Sequence, residues 1–454
     1  MIAGEEYTVN IEKMINGGSG LARVNDFPVF IENACCGDTL RIKIKKINNS
    51  YATGEIVRIE SPSKSRIKPQ CALSGVCGSC DWLHIAYEEQ LLQKRNIVFE
   101  TIKKITGKDY KINSTIASPE IKEYRCKVQY PVSQRKTGRI VAGYYKKNSH
   151  ELINIKFCPM HNPLISNILE FIKDNAQKLN IDAYNEKKHK GLIRHIVFRE
   201  SSYNKDIIII FVINSETISE KLLKLSKLIL EHFSFIKGIC ANFNTQKTNV
   251  IFSDKTSTIF GNDYYIEQLD NIKYKISANS FFQVNPKCAK IIFNTVKTLI
   301  NERISMPEVL DAYSGVSSFG IWLSSISSSV TCIEEVKSSS NNAIENIKLN
   351  NCKNITIINS DAEKEFERLV KNNVKFDVCI IDPPRKGCNS GALQNLLKLS
   401  RKYLVYVSCN VSTLARDMKI ITECDFVPEV IQPVDMFPNT YHTEIIVLFS
   451  KKNI

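Results

Sequence analysis

The stretch Leu310-Asp311-Ala312-Tyr313-Ser314-Gly315-Val316-Ser317-Ser318 decides the fold of this chain. It leaves a short apolar segment, Glu308 to Ala312, and enters a turn of small residues. An acidic residue, Glu334, follows sixteen positions after Ser318 at the end of the next apolar segment. A turn of small residues lets a ligand approach the backbone, and a carboxylate on the following strand can hold ribose hydroxyls. Ser317 stands where a GxG turn would have Gly, so taken alone the stretch fits any strand-to-helix turn.

Reading outward gives it a setting. Downstream, apolar segments at 330–333, 355–358, 378–381 and 404–407 alternate with helical patterns at 338–350 and 412–423. That alternation predicts an α/β domain over 276–454 with a mostly parallel sheet, whose ligands sit at the carboxyl ends of the strands. Upstream, strands at 128–132, 207–213 and 249–252 mix with helices at 163–178 and 219–231, which predicts a central α+β domain over 60–275. Residues 1–59 carry short alternating runs separated by turn signals such as Gly17-Gly18-Ser19-Gly20 and Gly37-Asp38, as a small β-barrel does. Such barrels bind single-stranded nucleic acid or serve as spacers. A length of 454 residues suits several domains.

The formal net charge is +14, and part of it is concentrated. Arg41, Lys43, Lys45, Lys46, Arg58, Lys64, Arg66 and Lys68 face only Glu55 and Glu60 in the same run. Dense positive charge favours a polyanionic partner, RNA or DNA. The first residues, MIAGEEYTVN, show no basic region leading into an apolar run, and Ile207 to Ile213 is too short to span a bilayer. A cytoplasmic protein without a membrane partner is expected, its fifteen cysteines reduced.

Several of those cysteines stand in chemical settings. Cys71, Cys77 and Cys80 lie within ten residues beside Gly78, as thiolates around a soft metal centre do, and Cys158 in Phe157-Cys158-Pro159 is a candidate fourth ligand. Four thiolates hold either zinc or an iron–sulfur cluster, and spacing does not separate the two. Asp382-Pro383-Pro384-Arg385 places a carboxylate and stiff prolines at a strand end, where a planar base can be cupped, although Asp-Pro-Pro also simply ends strands. Cys409 in Val407-Ser408-Cys409-Asn410 sits between a strand and a helix, a position suited to a thiolate nucleophile. Near the C-terminus, Asp435-Met436-Phe437-Pro438 to His442-Thr443-Glu444 offers a general base.

Together these motifs resemble the RNA uracil-5 methyltransferase family that modifies 23S ribosomal RNA and transfer RNA, and the resemblance spans essentially the whole chain. It implies an RNA-binding TRAM barrel at the N-terminus, a central domain with a [4Fe–4S] cluster on Cys71, Cys77, Cys80 and Cys158, and a Rossmann-like domain that uses S-adenosylmethionine. The run Ser280-Phe281-Phe282-Gln283-Val284-Asn285-Pro286 matches a further family signature. By the same resemblance Gln283, Tyr313, Glu334, Asp361 and Asp382 are expected at the cofactor, Cys409 as nucleophile and Glu444 as base. The reaction implied is methylation of carbon-5 of a uridine after thiolate attack at carbon-6, with Phe281 or Phe282 either stacking on a base or packing in the core. The presence of both cluster ligands and barrel favours 23S ribosomal RNA over transfer RNA, and a monomer with no obligate protein partner is the expectation. Four positions depart from the family pattern: Ser317, Ser318, Val411 and Asn439. They motivate a rival reading, an RNA-binding protein that has lost catalysis.

Overall fold

The computed structural model describes residues 1–452. The N-terminal runs form β1 (Glu6–Asn10), β2 (Lys13–Met14), β3 (Gly20–Val24), β4 (Phe27–Ile31), β5 (Thr39–Ile47) and β6 (Ala52–Ser61). They make one sheet in the order β1-β5-β6-β4-β3-β2. The two-residue period of β5 sends Leu40, Ile42 and Ile44 into a core with Val9, Ile11, Val29 and Ile31, and forces Arg41, Lys43 and Lys45 outward. The basic run is therefore displayed, but part of it is answered within the barrel. Arg41 pairs with Glu6 at 3.1 Å, Lys45 with Glu55 at 2.7 Å and Arg58 with Glu60 at 2.9 Å. Arg66 is drawn inward to the buried Asp38 at 2.6 Å.

Helix α1 (Tyr87–Thr106) follows and stops at Gly107, whose φ of 71° supplies a left-handed cap. Next come β7 (Lys127–Gln134), β8 (Ile140–Tyr145), β9 (Leu152–Asn154), α2 (Pro163–Lys178), β10 (Ile193–Glu200), β11 (Ile207–Ile213), α3 (Glu220–His232), β12 (Ile236–Phe243) and β13 (Thr256–Gly261). The strands form a sheet in the order β13-β12-β11-β10-β7-β8-β9. The unbroken apolar run of β11 is explained by its place, with every residue buried between β10 and β12. Residues 249–252, expected as a strand, are a loop. The Asn244 amide donates to the carbonyls of Val250 and Ile251, so a side chain takes the bonds a neighbouring strand would have made. The hairpin β14 (Tyr264–Leu269) and β15 (Ile272–Ser277) follows.

The remaining elements are α4 (Pro286–Asn301), β16 (Glu308–Ala312), α5 (Ser318–Leu323), β17 (Ser329–Glu334), α6 (Lys337–Leu349), β18 (Ile355–Asn359), α7 (Ala362–Lys371), β19 (Phe376–Ile381), α8 (Ser390–Leu399), β20 (Ser400–Ser408), α9 (Val411–Glu423), β21 (Phe426–Val434) and β22 (Glu444–Lys451). The α/β reading holds here. Strands run in the order β18-β17-β16-β19-β20, with β16 parallel to both β17 and β19. The chain leaves β16 outward to β17 and β18 and then crosses back to β19, which creates a switch point at the carboxyl ends of β16 and β19. Among the described residues no helix is long and apolar enough to cross a membrane.

Two compact units result. One comprises Met1–Pro119, Pro383–Gln394 and Tyr406–Ile454, and the other Glu120–Asp382 and Asn395–Val405.

Candidate functional site

In the second unit the switch point is a cradle of buried carboxylates and left-handed backbone. Asp311, at the end of β16, is 1% exposed and accepts the Gly320 N–H at 2.9 Å. A Cβ on Gly320, within α5, would lie 2.5 Å from Cys332 Sγ, so any side chain there would force its neighbours to shift. Tyr313, Gly315 and Ser317 all adopt left-handed φ, at 60°, 57° and 62°. Ser317 thus takes the conformation a glycine would favour, steadied by its hydroxyl contact with Cys332 Sγ at 3.1 Å. Glu334 receives the N–H groups of Gly315 and Val336, both at 2.8 Å, and so ties the turn to the end of β17. Burial raises its pKa above the usual carboxylate range. Burial also pushes Asp311 up to about 7, with the charges of Asp382 and Glu334 adding to the rise. Asp382, directly after β19, is likewise pushed by burial to about 7. Three acids on neighbouring strand ends resist ionisation together, which makes the cradle receptive to a bound cation.

Asp361 caps α7 by accepting the Lys364 N–H at 2.9 Å, and Phe366 of that helix lies edge-on to Tyr313 at 6.5 Å. The loop carrying Gln283 is pinned at Ser280, whose carbonyl accepts from the buried Arg199 and whose hydroxyl accepts from Asn342. Phe282 is buried against Tyr274, the packing role, whereas Phe281 is 60% exposed. No motif marks Asp311 or Arg199 as a site residue, although a carboxylate inside an otherwise apolar strand, Val309-Leu310-Asp311-Ala312, signals the first.

In the first unit Cys409 directly follows β20 and lines a cavity of about 200 Å³ with Asn16, Arg385, Asn410, Tyr441, His442 and Thr443. Asn410 caps α9 through the Ser412 N–H at 3.1 Å, and its amide donates to the Arg385 carbonyl at 3.2 Å. Val411 is the first residue of α9, where no N–H bond is required, so its departure from the family pattern costs the helix nothing. Glu444 is 4% exposed and opens β22 directly after the cavity-lining Tyr441, His442 and Thr443. The preceding segment is anchored by a fully buried ion pair, Lys94 with Asp435. Tyr87 Oη also donates to Asp435, at 2.8 Å. Asn439 has a left-handed φ of 66°, which suits Asn. It exchanges bonds with Gln90, its N–H donating at 2.9 Å and its side-chain oxygen accepting at 3.3 Å.

Cys71, Cys77 and Cys80 lie in the turn-rich segment before α1, all half-buried, and Cys158 follows β9. Burial raises the Cys77 thiol, and the nearby Cys71 adds to the rise. Among the described residues, however, no three His, Cys, Asp or Glu side chains gather to hold a metal ion.

Comparison with known proteins follows the same lines. Residues 86–452 match the tRNA (Uracil-5-)-methyltransferase family, and residues 3–57 match the TRAM domain. An uncharacterized RNA methyltransferase of Clostridium tetani is 34% identical over 445 residues, covering 98% of this chain and 96% of that protein. Another from Listeria innocua is 36% identical over 451 residues, covering 99% and 98%. The solved structure of Pyrococcus abyssi tRNA (uracil-54, C5)-methyltransferase in complex with S-adenosyl-L-homocysteine superposes with a TM-score of 0.76 at 24% identity, covering 97% of this chain and 100% of that one.

Proposed function

The chain belongs to the tRNA (uracil-5-)-methyltransferase family, an RNA-methylating family dependent on S-adenosylmethionine, and we propose that it methylates carbon-5 of a specific uridine in 23S ribosomal RNA with Cys409 as nucleophile. The observation that carries this reading is the cavity lined at once by Cys409 and by Tyr441, His442 and Thr443, the residues leading into Glu444. Carbon-5 of uracil is too weak a nucleophile on its own. The Cys409 thiolate adds to carbon-6, and the electron pair displaced makes carbon-5 nucleophilic. S-adenosylmethionine supplies the methyl group as an electrophile, leaving as the neutral thioether. Glu444 then takes the carbon-5 proton, and the returning electron pair restores the ring double bond and expels Cys409. Gln283, Tyr313, Glu334, Asp361 and Asp382 are proposed to hold the cofactor, whose cationic sulfonium and ammonium groups suit the acid-rich cradle at the switch point. The protein is taken to work as a cytoplasmic monomer.

The decisive experiment transfers labelled methyl from S-adenosylmethionine to unmodified 23S ribosomal RNA and to transfer RNA in parallel. 5-Methyluridine in the 23S species is the expected result. Label in transfer RNA alone, the substrate in the family's description, would keep the chemistry and replace the substrate. Label in neither would favour the RNA-binding protein without catalysis.

Cys71, Cys77, Cys80 and Cys158 are proposed as ligands of a [4Fe–4S] cluster, supported by their spacing and by the rise that the nearby Cys71 adds to the Cys77 thiol. No step of the methyl transfer runs through it. Anaerobic protein with about four irons per chain and a broad visible absorbance would support the assignment, and stoichiometric zinc would replace it.

A further inference from the structure

A second cavity, of about 210 Å³, opens in the second unit on the sheet of β7, β8 and β10. Its walls include Pro131, Ser133, Tyr145, Tyr184, Arg194 and His195. The strand registers explain why these residues meet. Along β7, Tyr130 and Val132 are buried, so by alternation Pro131 and Ser133 face the other side of the sheet, and His195 pairs directly with Pro131. Tyr145 of β8 is more than a third exposed, leaving ring surface open to solvent.

The cavity is rigid on one side and chemically unsatisfied on another. Arg194 lies 4.5 Å over the ring of Tyr184, while its guanidinium donates to the carbonyls of Asn244 and Gln246, both at 2.7 Å, and of Thr248 at 3.0 Å. Tyr184 Oη is further bound to His189 Nδ1 at 2.7 Å. That wall is fixed before any ligand arrives. His195 Nδ1, by contrast, is buried with no hydrogen-bond partner, a costly state unless a ligand supplies one. Burial and the neighbouring Arg194 hold the His195 pKa near 4, so the imidazole is neutral at physiological pH and offers one donor and one acceptor. The two loops that contribute His150 and Lys187 carry Lys146, Lys147, Lys187, Lys188 and Lys190 against Glu151, Asp182 and Glu186.

We propose that this cavity is a second RNA-contacting site, which takes one unpaired base other than the methylated uridine, stacking it on Tyr145 and reading its edge with His195 while the lysines of the two loops meet the adjoining phosphates. Aromatic stacking, a neutral hydrogen-bonding group and flanking lysines are what a single-stranded segment needs, and a duplex cannot offer its bases this way. The site would hold the substrate away from the chemistry and so contribute to the choice of RNA. It rests on the reading of the protein as an RNA methyltransferase but is tested independently of turnover.

The test measures binding of a labelled short single-stranded RNA, and of the blunt duplex of equal length, to the full chain. Tyr145→Ala should weaken the single strand about tenfold, as loss of one base stack does, and leave S-adenosylmethionine affinity unchanged. Tyr145→Phe should bind like the parent protein, and His195→Leu should weaken the single strand while sparing the duplex. Equal single-strand affinity in the parent and Tyr145→Ala proteins overturns the proposal. So does failure of the parent protein to bind either RNA, which would point to a protein partner at this cavity. Loss of single-strand binding in Tyr145→Ala, combined with a parent protein that methylates no RNA, would retain this site and reject the catalytic reading alone.

Discussion

The cradle at the switch point and the cavity around Cys409 are held by different forces. In the cradle, Asp311, Glu334 and Asp382 are acids pushed toward their neutral forms by burial and, for Asp311, by one another. Beside the Cys409 cavity, the buried Asp435 is instead paired with the equally buried Lys94, and Tyr87 and the Phe437 carbonyl complete the network. In the first region a cationic ligand would draw these acids into their ionised forms. The second has neutralised its charge internally and uses it to fix the backbone that leads to Glu444. Changes in the cradle should therefore appear as altered ligand affinity and pH dependence, and changes near the cavity as lost turnover or lost stability.

The largest effect is expected at the nucleophile. Cys409→Ala should lower methyl transfer by a factor on the order of 10⁴ or more, as removal of a covalent nucleophile does elsewhere, with S-adenosylmethionine binding intact. Retained transfer in a single-turnover assay would remove the thiolate mechanism and the contrast with it.

Next in size is the buried pair. Asp435→Ala strands the Lys94 ammonium in the interior and should cost about 3–5 kcal/mol, read as a lower urea midpoint. Replacing both partners, Lys94→Met with Asp435→Leu, should recover much of that stability. A loss below about 1 kcal/mol in the single variant would mean that the pair is not what holds the segment.

These two predictions differ in how far the sequence foretold them. Cys409 was legible because the chemistry demands a particular residue at a strand end before a helix, a local pattern. The order of apolar segments likewise gave the parallel sheet, and the all-apolar Ile207–Ile213 gave a buried strand. Lys94 and Asp435 are separated by 341 positions, and nothing local marks either as the other's partner. The same blindness affected the strand expected at 249–252, because the Asn244 amide bonds that make it a loop depend on a tertiary approach. The basic run was legible as composition, yet its pairing across the barrel was not. Of its eight cations, Arg41, Lys45, Arg58 and Arg66 answer carboxylates of the barrel.

The cradle should reveal itself through pH. Asp311 and Asp382 titrate near 7 in the folded protein against a reference of 3.8. Each folded-state pKa is raised, so the stability these groups contribute to the ligand-free protein is fully present below about pH 4 and is lost as pH rises through 7. S-adenosylmethionine, a cation at sulfur, should respond oppositely and bind about tenfold more tightly at pH 8 than at pH 6, as more carboxylate becomes available. S-adenosylhomocysteine, which lacks the sulfonium charge, should show a shallower dependence by calorimetry. Parallel curves for the two ligands would show that the acids shape the turn without addressing the charge.

The smallest effect is expected at Ser317, and its smallness is informative. A left-handed φ of 62° costs an L-residue roughly 1 kcal/mol, which glycine would relieve. Glycine would also forfeit the Ser317 hydroxyl contact with Cys332 and add freedom to the unfolded chain. These terms oppose one another, so Ser317→Gly should shift stability by less than about 1 kcal/mol and S-adenosylmethionine affinity by only a few-fold. The serine is then a tolerated variation on the family's glycine, since the backbone has already adopted the path a glycine would take. A gain in cofactor affinity well beyond tenfold would mean instead that Ser317 holds the cradle in a poorer shape, and would strengthen the reading of this chain as a binder of RNA that no longer methylates it.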